Sequence, residues 1–183
     1  MGLDMEVLVW IHENLSGGIT DFLMKYISIS GDYGAIWIFI ILVLLIYKPT
    51  RKTGVIMVIA LLFGLILNDF IIKPLVERPR PFIEDPSLLL SISAPGGYSF
   101  ASGHATKAFA VSSVLFIHDK KWGTPLMIYA TLMAFSRMYL LVHYASDVIV
   151  GAFIGMFCAV AAYAIVNHIK KKYEHVPYQQ SEK

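Results

Sequence analysis

The chain has 183 residues, of which 57% are hydrophobic and 15% charged, with a formal net charge of +2. Soluble domains are about 45–50% apolar and about 25% charged, so an ordinary water-soluble globule is excluded; disorder, which needs low hydrophobicity and high net charge, is excluded as well. The length suits one domain spanning residues 1–183, the single Cys158 leaves no disulfide framework or cysteine-rich metal site, and a charge of +2 gives no reason to expect nucleic acid.

Residues 1–30 read as two amphipathic helices separated by Ser16, Gly17 and Gly18. In the first, Val7, Leu8, Ile11 and Leu15 share a face; in the second, Ile19, Phe22, Leu23, Tyr26 and Ile27 do. Asp4, Glu6, His12, Glu13, Asp21 and Lys25 interrupt the apolar pattern. The pair suits either interfacial helices or a weak first span. Five stretches follow that approach the ~20 apolar residues a spanning helix needs: 33–47, 54–72, 100–117, 124–142 and 148–166. Backbone polar groups in lipid are satisfied within a helix, so all five read as helices. The expected fold class is therefore all-α: a polytopic integral membrane helix bundle in the cell membrane.

Lysine and arginine set the orientation. Lys48, Arg51 and Lys52 follow the first clear span, Lys120 and Lys121 the third, and Lys170, Lys171 and Lys172 the last. If each span crosses once, these clusters share one side, the cytoplasmic one, together with the tail at 167–183. The segment 73–100 and the short connection at 141–148 then lie on the extracytoplasmic side. Tyr47, Trp122 and Tyr173 fall near span ends, where an aromatic belt would place them.

Ionisable residues within spans are costly and mark function. Here they are Asp69, Lys73, His104, Lys107, Arg137, His143 and Asp147, and all fall at or near the extracytoplasmic ends of different spans. Lys73, Arg80 and Arg137 supply fixed positive charge suited to phosphate oxygens. Ser102 and Gly103 precede an apolar run, so Ser102 reads as a helix cap whose neighbouring N–H groups favour an anion. His143 and Asp147 are four apart and share a helix face, so the carboxylate can orient the imidazole. Arg137 and His143 are six apart, about 240° around a helix, and so belong to successive helices. Two histidines, an acid and three cations meet the needs of phosphoryl transfer through a phosphohistidine, one histidine attacking phosphorus and the other protonating the leaving oxygen. No P-loop and no acidic pair for magnesium is evident, so neither a metal nor another cofactor is required.

These residues fall into three motifs: Lys73-x6-Arg80-Pro81, Ala101-Ser102-Gly103-His104, and Ser136-Arg137-x5-His143-x3-Asp147. In order and spacing they resemble the signature of the type-2 phosphatidic acid phosphatases, the membrane lipid phosphate phosphatases, including bacterial phosphatidylglycerophosphate and undecaprenyl pyrophosphate phosphatases. The resemblance implies a fold of about six membrane helices, the first weak and amphipathic, and a metal-independent mechanism. It implies that His143 is the nucleophile, Asp147 its orienting partner and His104 the general acid. Lys73, Arg80, Ser102, Gly103 and Arg137 would bind phosphate. The expected partners are the bilayer and a lipid phosphate or diphosphate; oligomeric state is not legible. Ala101 stands where the family has proline, and Lys107 where small or apolar residues are usual. Lys107 has two readings, a polar contact to substrate or a side chain snorkelling to the surface.

Several residues have plainer roles. Asp69 is expected to position Lys73, Asn68 to bond between helices, and Arg78 to be an exposed charge near head groups. Gly151 and Gly155 are expected to permit close packing inside the bundle. Cys158 and the methionines read as packing residues. An anion transporter or binding protein built on the same cationic cluster is the alternative function, and a metal hydrolase using His104, His143 and Asp147 a lesser one.

Overall fold

A computed structural model of the chain describes residues 2–174. His175 and the rest of the expected tail to residue 183 lie outside the described residues, as do the side chains of Lys170, Lys172 and Tyr173. Among the described residues every regular element is helical: α1 (Leu3–Leu15), α2 (Gly18–Ser30), α3 (Ala35–Ile46), α4 (Arg51–Gly64), α5 (Lys73–Val76), α6 (Pro81–Glu84), α7 (Gly103–His118), α8 (Lys120–Tyr139) and α9 (Ala145–Glu174). Each of the five apolar stretches holds a helix. Among the described residues two units are long and apolar enough to cross a membrane alone, Lys48–Glu84 and Ala145–Ile169.

α7 is the centre of the bundle, packed against α8, α9 and α4. It can be central because its residues are small: Ala105, Ala108, Ala110, Ser112 and Ser113 are all buried. α9 approaches it through Gly151 and Gly155. A Cβ at Gly151 would lie 2.7 Å from the Ser102 carbonyl oxygen, and one at Gly155 would lie 2.4 Å from that of Thr106. The glycine pair therefore packs inside the bundle, as expected. Buried Cys158 also fits its packing role.

α4 runs on through a wider, π-type winding over Leu65–Ile72 into α5. Such windings often occur at functional sites. Here the winding turns Asn68 fully inward, where its side-chain amide donates to the Ala101 carbonyl at 3.2 Å. The chain stops being helical at Glu77, which takes a left-handed conformation with φ of 50°.

The N-terminal region refines the expected first span. α2 has 13 residues, about 20 Å of helix and short of the ~30 Å hydrocarbon core. α2 and the segment Asp32–Ile46 together pass as one broken unit with a bend of 51°. Contacts to α8 step along that unit. Asp21 meets the Tyr139 hydroxyl near one end of α8, and Ser30 meets the Tyr129 hydroxyl further along. Trp37 packs its ring against Tyr129, and Phe39 and Val43 border a groove with Trp122 at the other end. α2 and α3 thus run antiparallel to α8 in one direction, broken at Gly31, where a Cβ would meet the Met133 sulfur at 2.6 Å and the His104 ring at 2.9 Å. α1 packs across α8 and α9.

The outer faces are apolar: Phe39, Ile46, Phe70, Phe153, Phe157 and Val160 are all exposed. The inside holds Asn68, Arg80, Ser99, Ser102, Arg137, His143 and Asp147. An apolar exterior, with polar groups gathered inside beside an apolar core, suits a lipid solvent.

Candidate active site

α8 ends at Tyr139 and α9 begins at Ala145, so Arg137 and His143 lie on opposite sides of a turn. Leu141 takes the left-handed conformation there, with φ of 60°. This folds the chain back so that the amides of Val142 and His143 both donate to the Arg137 carbonyl, at 3.2 and 3.3 Å. His143 precedes the helix rather than lying on it. Asp147, in the first turn of α9, accepts the Tyr144 amide at 3.0 Å, as an acidic residue does at a helix start. Its Oδ2 also lies 3.4 Å from His143 Nδ1. The same oxygen accepts from the Ser99 hydroxyl, whose Oγ lies 3.4 Å from His143 Nδ1. Both His143 and Asp147 are buried. With Nδ1 engaged, His143 Nε2 faces Arg80 Nη1 at 3.3 Å.

Arg80 is buried and held by the backbone. Nε donates to the Gly97 carbonyl, Nη2 to that of Gly96 and Nη1 to that of Val142, each at 2.9 Å. It thereby ties the glycine turn of the 85–102 segment to the turn that carries His143. That segment is pinned twice more, by the Ser99 amide on the Arg78 carbonyl at 2.9 Å and the Ser102 amide on the Asp147 carbonyl at 3.0 Å. Ser102 caps α7, accepting from the Ala105 amide.

Lys73 pairs with Asp69 at 2.7 Å, as the spacing predicts. A Cβ at Gly103 would lie 3.3 Å from Asp69 Oδ1 and 3.4 Å from Lys73 Nζ. Lys73 is therefore held beside the positive end of α7, where the first N–H groups favour an anion. Arg137 is buried, with Nη1 donating to the Ser28 hydroxyl and its Nε–H finding no acceptor among the described residues. A buried donor of this kind suits an anionic ligand.

His104 Nε2 lies 3.1 Å from Asp32 Oδ1. Asp32 and Arg137 both line a cavity of about 850 Å³, together with Lys25, Ile29, Tyr33 and Gly96. That volume lies within the ~300–1,000 Å³ range of small-molecule sites. Lys107 is half-buried, its stem running past Gly34, where a Cβ would come within 3.6 Å of its Cδ. Among the described residues no group of three or more His, Cys, Asp and Glu side chains is arranged to hold a metal ion.

The structure thus gathers the residues of all three motifs about one end of the bundle. It corrects the reading of Arg78 as an exposed charge. Its side chain is 25% exposed and makes ion pairs with Asp147 at 2.8 Å and Asp4 at 2.9 Å. Tyr144 covers its guanidinium, 3.7 Å from ring centre to Cζ. Sequence reasoning also missed Ser99, Asp32, Ser28 and Asp4 as neighbours of the site. Only Ser99 had a local signal, a polar residue just ahead of the capping motif.

Comparison with known proteins agrees with this architecture. Residues 53–171 match the family model of the PAP2 superfamily. The chain is 34% identical over 160 residues to an undecaprenyl-diphosphatase of Sulfolobus acidocaldarius, an alignment covering 85% of this chain and 74% of that protein. Its fold superposes on the crystal structure of Aquifex aeolicus LpxE with a TM-score of 0.74 and 25% identity, covering 90% and 96% of the two chains. It superposes on a PAP2-type phosphatidylglycerolphosphate phosphatase from Bacillus subtilis with a TM-score of 0.70 and 22% identity, covering 91% and 85%. The motifs, the helices that bring them together and these relationships lead to one conclusion: the chain belongs to the PAP2 superfamily and is a phosphatase.

Proposed function

We propose that the protein hydrolyses a membrane lipid phosphate, with a polyprenyl diphosphate as the favoured substrate, through a phosphohistidine on His143. The observation that carries this reading is the setting of His143: Nδ1 lies against Asp147 and Ser99, so Nε2 is turned toward Arg80. An imidazole held this way keeps its lone pair at the cationic end of the site. His143 Nε2 attacks phosphorus and the bond to the leaving oxygen breaks. The departing oxygen takes the proton that His104 Nε2 holds against Asp32. A water molecule then attacks the phosphohistidine, returning its proton to His104 and releasing phosphate and free His143. Lys73, Arg80, Arg137 and the start of α7, with Ser102 and Gly103, offset charge on the phosphoryl oxygens. These groups supply the electrostatic stabilisation that a metal supplies elsewhere. Names of relatives support the substrate class, the Sulfolobus protein being an undecaprenyl-diphosphatase.

The site lies on the extracytoplasmic face and the C-terminus in the cytoplasm, a reading supported by the basic clusters. Five crossings follow if α2 and α3 form one broken span, with α1 lying at the surface. The resemblance implies about six, with the weak first helix crossing separately.

The test is phosphate release by the purified protein from a polyprenyl diphosphate, a phosphatidylglycerophosphate and a phosphatidic acid in one detergent. The polyprenyl diphosphate is expected to turn over fastest, with chelator causing no loss. His143→Ala is expected to abolish release; full activity in that variant would overturn the mechanism. Anion flux into liposomes without hydrolysis would favour a transporter instead.

A further inference from the structure

Asp147 is fully buried, and both of its oxygens are engaged. Oδ2 serves His143, Ser99 and the Tyr144 amide, whereas Oδ1 takes Arg78 Nη1 at 2.8 Å. A buried carboxylate needs a countercharge. A neutral, nucleophilic His143 cannot supply it, and Arg80 lies on the other side of the imidazole. Arg78 is the cation in contact.

Arg78 is itself fixed from α1. Nη2 donates to Asp4 Oδ2 at 2.9 Å and Nη1 to the Ser146 hydroxyl at 2.7 Å. Asp4 also accepts from the Ser146 amide at 3.1 Å and from its hydroxyl. Leu8 of α1 is buried, and Met5 and Leu8 pack in one cluster with Leu141 and Tyr144, the residues that flank the His143 turn. Apolar contacts and ion pairs thus seat the same helix on the same turn. Both terminal nitrogens of Arg78 donate to protein groups, Nη1 to Asp147 and Ser146 and Nη2 to Asp4, so its fork is committed within the protein.

We propose that Arg78, clamped by Asp4, is a positioning residue that holds the Asp147 carboxylate against His143, which makes the N-terminal amphipathic helix a working part of the active site. This rests on the reading of His143 as nucleophile. Through Arg78 the position of α1 sets the orientation of the imidazole, and nothing about phosphate binding depends on it.

The experiment compares Arg78→Gln, Arg78→Lys, Asp4→Asn and the Asp4→Asn/Arg78→Gln double variant of the full chain in detergent, with His143→Ala alongside. Activity on a polyprenyl diphosphate is read as kcat and KM, and folding by thermal unfolding. Loss of an outer partner of a functional histidine costs about 10- to 100-fold in comparable metal sites, and a kcat loss of that size is expected for Arg78→Gln. KM should stay unchanged, because substrate does not touch the residue. Arg78→Lys should recover part of kcat, keeping the charge on Asp147 without the bridge to Asp4. Asp4→Asn should lower kcat less, and the double variant should be no worse than Arg78→Gln. Wild-type kcat in Arg78→Gln, a raised KM at unchanged kcat, or additive losses in the double variant would each overturn the proposal. If Arg78→Gln does not fold, wild-type kcat in Asp4→Asn overturns it. An inactive His143→Ala beside unaffected Arg78 variants fails this proposal alone. A fully active His143→Ala fails the nucleophile reading beneath it.

Discussion

Arg80 shows why residue type at this site is not interchangeable. Its guanidinium reaches the carbonyls of Gly96, Gly97 and Val142 and lies beside His143 Nε2. A lysine keeps the charge but has no planar fork with which to hold three carbonyls. Displacing the His143 turn by even about 1 Å is expected to cost on the order of 100-fold in turnover. Arg80→Lys should therefore be nearly as impaired as Arg80→Ala, and near-normal kcat in the lysine variant would contradict this. Asp32 and His104 make a second pair with a distinct signature. General acid catalysis contributes about 10²–10⁴-fold, but only where the leaving oxygen is basic. His104→Ala should lose that factor on an alkyl phosphate monoester such as phosphatidic acid, whose leaving alkoxide is basic, and far less on an aryl phosphate such as p-nitrophenyl phosphate. Asp32→Asn should follow the same pattern more weakly; equal losses on both substrates would rule out the proton-donor role. At this scale the motif residues were legible because their chemistry and short spacing are local. Asp69 beside Lys73 follows from one helical turn, and Asp147 meets His143 from the first turn of α9 although His143 lies in the turn before it. Asp32, 72 residues from His104, could not be read that way.

Among the elements, α7 and α9 carry the site because glycines let their backbones meet. A Cβ at Gly155 would lie 2.4 Å from the Thr106 carbonyl oxygen and 2.8 Å from the Ala110 nitrogen, and backbone cannot step aside as a side chain can. Gly155→Val should cost about 1–3 kcal/mol by overpacking, seen as a lower unfolding temperature in detergent. Unchanged stability would mean the two helices pack less tightly than described. α1 is attached by charge as well as by the apolar contacts of Met5, Leu8 and Ile11. Burial would raise the Asp4 carboxyl, but hydrogen bonds from Ser146 and Arg78 outweigh it and hold the group below its ordinary value of 3.8. A depressed carboxyl stabilises above its ordinary value, and that contribution fades as pH falls through the folded one. The clasp should therefore persist at neutral pH and release below about pH 4. Limited proteolysis of the N-terminal helix across that range checks it. Periodicity revealed α1 as amphipathic; which surface it covers was decided by residues 74 and 142 positions away.

For the whole molecule, large apolar side chains cover the outside as well as filling the core. Phe153, Phe157 and Val160 on α9 are exposed, while Ser102, Arg137 and Asp147 are buried. The proposed topology then has a direct check. Intact spheroplasts should hydrolyse an added, membrane-impermeant short-chain polyprenyl diphosphate, whereas sealed inside-out vesicles should not until permeabilised. The opposite sidedness would overturn the orientation read from the basic clusters. If the bent unit of α2 and α3 crosses once, the number of crossings is odd and the two ends of the chain lie on opposite sides. A tag on the N-terminus should thus be accessible from outside and one on the C-terminus from inside.

The sequence by itself determined the solvent, the helical class and the three motifs, because apolar run length and short-range spacing are local properties of the chain. It also foretold the Gly151–Gly155 seam and the cap at Ser102. Tertiary structure alone decided that α2 and α3 follow one another along α8, that Ser99 and Arg78 share Asp147, and that Asp4 reaches across to hold Arg78. Those choices depend on which buried charge finds which partner. A carboxylate such as Asp147, once buried, takes its donors from wherever in the chain the packing brings them.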